Sequence, residues 1–439
     1  MKYYIDPFWG QDSNTGTDAK DPWRTLEGHT HALQPGDQVL FRRGTVMKKA
    51  LVLPGGSELG PITYSAYGEG PDPVVNPSID ASSLDCWKEL SPGIWQYTKE
   101  IPTEICNIVF DDGASFGNLR WSQEDLKNPG EWYYTRLGHS IHSEPSQWPM
   151  WGNGTLYVCC PQNPASVYAS IELVCWGDRM AVTSGDYAVI EHVTFEKSGV
   201  HGFSREKGHH ITIRNCCFRL IGGGVWDFKT RVRLGNGVEF WNGAHDCIVE
   251  HCVFEDIYDS GVTHQGYLGE SEIPQRLYFR HNVFMRCGMA CYEWRGPSSR
   301  DIYFEQNVCL QGGGAFTMQG EQPPRRTEIP FHPATSVYVL IWRLEETIPK
   351  DGTYCTIRGN VFYHAPRAGA AISSGIDPGA MEQFVFENNL YCQPDSDCLI
   401  HWKDRDYRTS QFAAYQEQTH ADQNSLAVRP EYFRPPYEG

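Results

Sequence analysis

No uninterrupted run of about 18 apolar residues occurs in this 439-residue chain, which argues against a hydrophobic helix crossing a membrane. The opening residues, MKYYIDPFWG, lack the basic start, apolar stretch and small-residue cleavage site of a secretory leader. Basic residues are in deficit: Lys and Arg total 37 against 54 for Asp and Glu, a formal net charge of -17. That imbalance disfavours nucleic acid and anionic membranes as partners, because long-range repulsion opposes encounter. The fifteen cysteines form no CxxC spacing, are odd in number and include the neighbours Cys159/Cys160 and Cys216/Cys217, which cannot easily bond to each other. They read as small, reduced, buried hydrophobes of a cytoplasmic protein, or of an exported one whose leader has been removed. The glycine strings GGGVWD and QGGGAF do not open a helix with a phosphate-binding lysine, which argues against a nucleotide loop.

Hydrophobic residues at 40% and charged ones at 21% describe a folded chain, long enough for one sizeable core or two ordinary ones. Aromatic residues make up 13%, with 14 Trp and 23 Tyr. Rings in that number either stack in a large core or line a sugar-binding cleft, where an aromatic face covers the apolar face of a pyranose. From about residue 185 a motif recurs as AVIEHVTF, ITIRNCCF, CIVEHCVF, LYFRHNVF, IYFEQNVC, CTIRGNVF and FVFENNLY. Its last residues, Phe195, Phe218, Phe254, Phe284, Cys309, Phe362 and Tyr391, lie 23, 36, 30, 25, 53 and 29 residues apart. A floor of 23 with variable excess predicts a solenoid whose coils tolerate loop insertions. Each motif alternates apolar and polar residues and is rich in β-branched and aromatic types, which predicts strands. One column carries Asn282, Asn307, Asn360 and Asn389, preceded by Cys216 and Cys252. Asn tolerates left-handed backbone and bonds to its stacked copy, so an inward asparagine ladder at a tight turn is expected.

These repeats resemble those of right-handed parallel β-helix proteins. The segments YYIDPFWGQDSNTGTDAKDPWRTLEGH, LQPGDQVLFRRGT and GPITYSAYGEG resemble the N-terminal cap and first coils of the carbohydrate-active members, and NGVEFWNGA, YDSGVTHQG and DQNSLAVRPEYF resemble segments of bacterial β-helix glycoside hydrolases. The resemblance implies an all-β fold, a right-handed parallel β-helix with inserted antiparallel strands and long loops. It bears less on the reaction, since lyases, epimerases and adhesins share that architecture. One domain over 1–439 is expected, with a cap and first coils over 1–60. An antiparallel excursion is expected over 105–170, where WYY and TLYVCC alternate around turns. Regular coils over 185–405 would carry a loop insertion at 320–354, and 406–439 would form a tail.

After each motif comes a strand ending near a glycine: GVEFWNG, GVTHQG, CYEWRG and AFTMQG. Aligning Val238, Val262, Tyr292 and Phe316 as inward residues puts Glu239, Thr263, Glu293 and Thr317 in one outward column, and Trp241, Gln265, Arg295 and Gln319 in the next. With coils about 4.8 Å apart, Glu239 and Glu293 would hold their Cα atoms roughly 10 Å apart. Inverting glycoside hydrolysis needs an acid and a base about 6.5–9.5 Å apart, with room for water, and retention about 5 Å. A solvated sheet surface is the competing reading of these glutamates. The long 36, 30 and 53 spacings fall beside the same strands, and loops grafted beside one sheet build cleft walls.

Asp227, beside Trp226 and near Arg231 and Arg233, is either a third catalytic carboxylate, a hydroxyl acceptor or half of a loop salt bridge. Asp256 and Asp259 precede GVTHQG in a turn, and Asp259 would be a closer, retaining-type partner if that turn bends toward the cleft. His264 alternates inward, as a satisfied core histidine does, unless a bulge turns it out. Trp241, Trp294, Gln265, Gln319, Arg233 and Arg295 are candidate sugar contacts through rings, amides and guanidinium groups. His209, His210 and His401 look too isolated to hold a metal, and no cofactor is expected. Three functions follow in order: a glycoside hydrolase with paired carboxylates; a lyase acting on a uronate glycan, for which Arg295 is the only base in the columns and no calcium-binding acidic cluster is evident; and a non-catalytic carbohydrate-binding solenoid.

Overall fold

The structure is a computed structural model that describes residues 1–137, 154–177, 180–228, 231–266, 273–295, 299–312, 337–342, 354–363, 372–374, 383–393, 398–402 and 405–432. Three ten-stranded sheets, almost wholly parallel, run the length of the molecule, stacked as in a right-handed β-helix. Each full coil contributes one strand to each sheet. In one coil, His245–Glu250 lies in sheet 1, Val253–Ile257 in sheet 2 and Ser260–Gln265 in sheet 3.

The motif register holds through all seven copies. Phe195 pairs with Phe218, Phe218 with Phe254, Phe254 with Phe284, Phe284 with Cys309, Cys309 with Phe362, and Phe362 with Tyr391. Their rings form a column inside the helix, with neighbouring centroids 4.8 Å apart at Phe254–Phe284 and 5.2 Å at Phe362–Tyr391. None of the fifteen cysteines forms a disulfide, and all are buried or half-buried.

The asparagine column forms the expected ladder. Asn282, Asn307, Asn360 and Asn389 are buried. The Oδ1 of Asn307, Asn360 and Asn389 accepts the backbone N–H of the preceding ladder residue at 2.9–3.0 Å. Their Nδ2 groups donate to strand-end carbonyls of Phe279, Phe304 and Ile357. The left-handed residue is not the ladder asparagine itself. It is the one before, with φ of 54° at His281, 53° at Gln306, 65° at Gly359 and 56° at Asn388. The backbone turns there, and the side chain that follows is aimed inward to satisfy the carbonyls exposed by the turn.

The antiparallel excursion begins earlier than residue 105. A four-stranded sheet takes in Ile79–Asp80, Ile105–Phe110, Ser115–Phe116 and Ile171–Cys175, and a five-stranded sheet runs from Trp87–Ser91 to Leu156–Cys159. It is spliced between two coils that pair directly, since Ile62–Tyr67 lies against Ala188–Glu191. It has its own apolar core, centred on Trp132, Tyr134, Phe110 and Leu173.

Sheet 3 corrects one element of the sequence reading. The strand stacked on Ala290–Arg295 is Val339–Trp342, not AFTMQG: Tyr292 pairs with Val339, Glu293 with Leu340 and Arg295 with Trp342. The VLIW of SVYVLIW, expected inside an insertion at 320–354, is therefore a coil strand. Its unbroken β-branched and aromatic run suits a strand enclosed in the core better than AFTMQG, with its glycine neighbours. Gln319 lies outside the described residues, and the slot expected for it belongs to Trp342.

Candidate active site

Glu239, Thr263 and Glu293 stand side by side on sheet 3, because Glu239 pairs with Thr263 and Thr263 with Glu293. Their neighbours in alternate positions, Phe240 and Tyr292, point into the solenoid core. The three residues therefore face the outside of the coil, yet both glutamates are only 1% exposed. Charged groups so enclosed need compensating partners.

Glu239 has several. The His201 Nε2 lies 2.9 Å from its Oε2, Asn236 Nδ2 lies 3.4 Å from its Oε1, and the Ser204 hydroxyl lies 3.5 Å away. His201 Nδ1 accepts the backbone N–H of Asn236 at 3.2 Å, so its proton sits on Nε2 and is directed at the carboxylate. Burial by itself pushes the Glu239 carboxyl up. The facing His201, a Trp241 side-chain hydrogen bond and the charge of Arg295 outweigh it and hold the group below the usual glutamate range.

Glu293 is tied to Asp259 through one hydroxyl. Ser260 Oγ lies 3.2 Å from Glu293 Oε2 and 3.5 Å from Asp259 Oδ1, and both Ser260 and Asp259 are buried. The turn before Ser260–Gln265 thus brings Asp259 toward the glutamate column. Farther along the same strands, Arg295 Nη1 donates to Gln265 Oε1 at 2.9 Å, and Trp241 is half-buried beside them in register with Gln265.

Other expected site residues lie elsewhere. Trp294 points into the core, its ring packed against His264, Tyr354 and Phe384, so it offers no face to a ligand on the outer surface. His264 is likewise internal: Nε2 meets the Tyr292 hydroxyl at 3.0 Å and Nδ1 the Ser299 hydroxyl at 2.9 Å. Asp256 belongs to sheet 2, where Arg286 grips both its oxygens at 3.0 and 2.8 Å. Asp227 ends Gly224–Asp227, one arm of a hairpin with Val232–Leu234 that packs Trp226 and Leu234 against Cys106, Trp176 and Val200. Arg233, on the other arm, donates to the carbonyls of Gly223 and Cys106 and lies 4.6 Å above the Tyr258 ring, fastening the hairpin to the excursion.

His201, Asn236 and Ser260 went unnoticed in the sequence. Each sits at or just before the start of a sheet 3 strand, where strand alternation does not say which way a side chain turns. The expectation that His209 and His210 are isolated is overturned, since successive coils gather them with His245 and Asp246.

No protein-family model matches the chain, and no curated protein does. Solved structures do resemble it. One described as a glycoside hydrolase aligns over 98% of this chain and 95% of its own, with a TM-score of 0.51 and 9% identity. A complex of XylC with xylose aligns over 99% and 85%, with a TM-score of 0.48 and 11% identity. The pectate lyase Pel9A aligns over 99% and 78%, with a TM-score of 0.44 and 11% identity. At such identities the likeness concerns the fold.

Proposed function

We propose that the protein is a carbohydrate-active enzyme, and specifically a glycoside hydrolase whose acid and base come from the Glu239–Glu293 column. The observation that carries this reading is a pair of buried carboxylates two rungs apart on one sheet face, separated only by Thr263. A surface that merely binds sugar has no need to enclose two acids, because desolvation penalises each of them. Two rungs of about 4.8 Å suit the wider, inverting geometry, in which a water fits between the acid and the base.

Glu239, kept ionised by His201, takes the role of the base that activates water. Glu293 is the acid that protonates the leaving oxygen. Asp259, reached through Ser260, is the nearer partner that a retaining route would use. Trp241, Gln265 and Arg295 border the pair and supply a ring, an amide and a cation for sugar contacts. Arg295 also supports a second reading, a lyase in which it neutralises a uronate carboxylate.

Incubation with a panel of plant and bacterial oligosaccharides separates these readings. New reducing ends without ultraviolet absorbance are expected, whereas absorbance from unsaturated products would put the lyase first. On a cleaved substrate, Glu239→Gln and Glu293→Gln should each lower the rate by about 100-fold to 10,000-fold. The double variant should lose little more, since a water activated by one group is useless without protonation by the other. Near-parental turnover in both single variants would remove the column from catalysis.

A further inference from the structure

Three imidazoles and two carboxylates meet at the corner where three successive coils enter sheet 1. Asp186 and Tyr187 come from the first coil, His209 and His210 from the next, His245 and Asp246 from the third, with a parallel bridge between His209 and His245. Tyr187, His210 and Asp246 all have φ of 54°, and this shared left-handed turn throws their side chains to one side of the corner. His209 and His245 stack with ring centroids 5.0 Å apart, and His210 stacks on Tyr187 at 4.6 Å.

The arrangement of nitrogens is that of a ligand set. His209 Nδ1 and His210 Nδ1 face each other at 3.1 Å. Two ligand nitrogens on one tetrahedral ion, with bonds of about 2.0–2.1 Å, lie about 3.3 Å apart. Each outer histidine is backed by a carboxylate: Asp186 Oδ2 lies 3.3 Å from His209 Nε2, and Asp246 Oδ2 lies 2.7 Å from His245 Nδ1. Carboxylates so placed fix the ring and raise its basicity toward a metal. One donor atom each from His210, His245 and Asp246 falls within 4.8 Å of the others, and His210 is open to solvent. Arg276, which grips Asp246 at 2.6 and 2.7 Å, and Arg205, 3.7 Å from Asp186, are the opposing cations. They leave the imidazoles as the principal donors.

We propose that His209, His210 and His245, with Asp246 backing the His245 ring, bind a divalent transition-metal ion. Imidazole donors select zinc, copper or nickel over calcium or magnesium, and zinc suits the tetrahedral spacing. The ion would clamp two successive coils together just beyond His201–Glu206 and Val238–Trp241, the strands that carry His201 and Glu239. The inference is independent of the proposed hydrolytic role.

The test is calorimetric titration of the full chain, stripped with EDTA and desalted, with zinc chloride at neutral pH. One zinc per chain is expected, together with a rise in thermal midpoint, since an ion that binds only the folded state stabilises it. His210→Asn keeps a residue that accepts left-handed backbone, and His245→Gln keeps a polar group at the strand start. Each should weaken zinc binding by about 100-fold, a loss that even removal of a supporting residue can cause. His31→Ala, on the exposed N-terminal cap, should leave binding unchanged. The proposal is overturned by an absence of stoichiometric zinc, or by zinc binding that persists in His210→Asn and His245→Gln; the imidazoles would then be a hydrogen-bonded stack.

Discussion

His264 sits between Thr263 and Gln265, one residue out of phase with the polar column, and that phase decides its chemistry. It is enclosed in the core between Tyr292 and Ser299, and burial pulls its pKa down to about 3. An unfolded histidine titrates near 6.5. Between these values the unfolded chain binds a proton that the folded chain refuses, so stability rises with pH across that window and is lost on acidification below about 6.5. The loss is about 1.4 kcal/mol per pH unit, or about 2 kcal/mol by pH 5. Denaturant titrations at pH 7 and pH 5 should show this loss in the parent and not in His264→Gln, which can still bond to both hydroxyls. Equal losses in the two proteins would assign the acid sensitivity elsewhere. The inward direction of His264 was legible in the sequence because strand alternation is unambiguous in mid-strand. The same alternation placed Trp294 inside, and grouping it with sugar-binding rings set that phase aside. His201 was illegible for the opposite reason: it begins its strand, and the backbone N–H of Asn236, a coil away in space, fixes its ring.

At the scale of the element, the ladder was readable because asparagine is out of place in an apolar strand unless its amide is satisfied. Each rung satisfies groups of the coil before it and reaches the asparagine of the coil after, so losing one orphans groups on two coils. Asn307→Ala strips the Phe279 carbonyl of its donor at 3.0 Å, the Asn282 N–H of its acceptor at 2.9 Å and Asn360 Oδ1 of a contact at 3.1 Å. Unpaired buried groups cost roughly 1–3 kcal/mol each, so a loss of about 3 kcal/mol or more is expected. Cys252 holds the equivalent place two coils earlier, where its thiol is a weak donor to the carbonyls of Glu250 at 3.3 Å and Ile213 at 3.7 Å. Cys252→Ala should cost about 1 kcal/mol, little more than the lost volume. Equilibrium unfolding of the two variants decides the matter: similar losses would mean that the ladder amides contribute no more than packing. The fourth sheet 3 row was misread because the 53-residue spacing holds two strand-like segments. Spacing alone does not say which of them returns to the coil, and AFTMQG kept the glycine pattern of its predecessors while SVYVLIW had the composition of a core strand.

Across the whole molecule, the outer faces of the sheets differ in how they treat charge. Sheet 1 turns ion pairs outward, with Glu191 to Arg214, Glu250 to Arg280 and Glu305 to Arg358, all partly exposed and individually worth little. Sheet 3 instead encloses Glu239 and Glu293. The excursion is joined to this side of the solenoid by the Arg233 hairpin and by Glu104, whose Oε1 accepts the Val225 N–H. It is held to the coils a second time by a buried cation. Lys197, 2% exposed, is ion-paired with Glu172 of the excursion, reaches Asp112 at 2.7 Å and meets Glu196 of its own coil at 3.1 Å. Asn76, Ser78 and Arg219 complete the set. None of this was legible in the sequence, because the partners are up to 127 residues apart and belong to different sheets. Breaking one side of a buried ion pair costs about 3–5 kcal/mol, since the abandoned charge stays enclosed. Arg219 still neutralises Glu196 at 2.6 Å, and Asp112 is largely exposed, so Lys197→Met should fall near the lower end, about 3 kcal/mol. The damage should be directional. Hydrogen exchange should quicken in Ile105–Phe110 and Ile171–Cys175, which lose their anchor, while the sheet 3 strand Ser260–Gln265 stays protected. Uniform quickening across both sets of strands would show that the excursion and the coils unfold as one unit, and that Lys197 stabilises the whole solenoid and not its junction with the excursion.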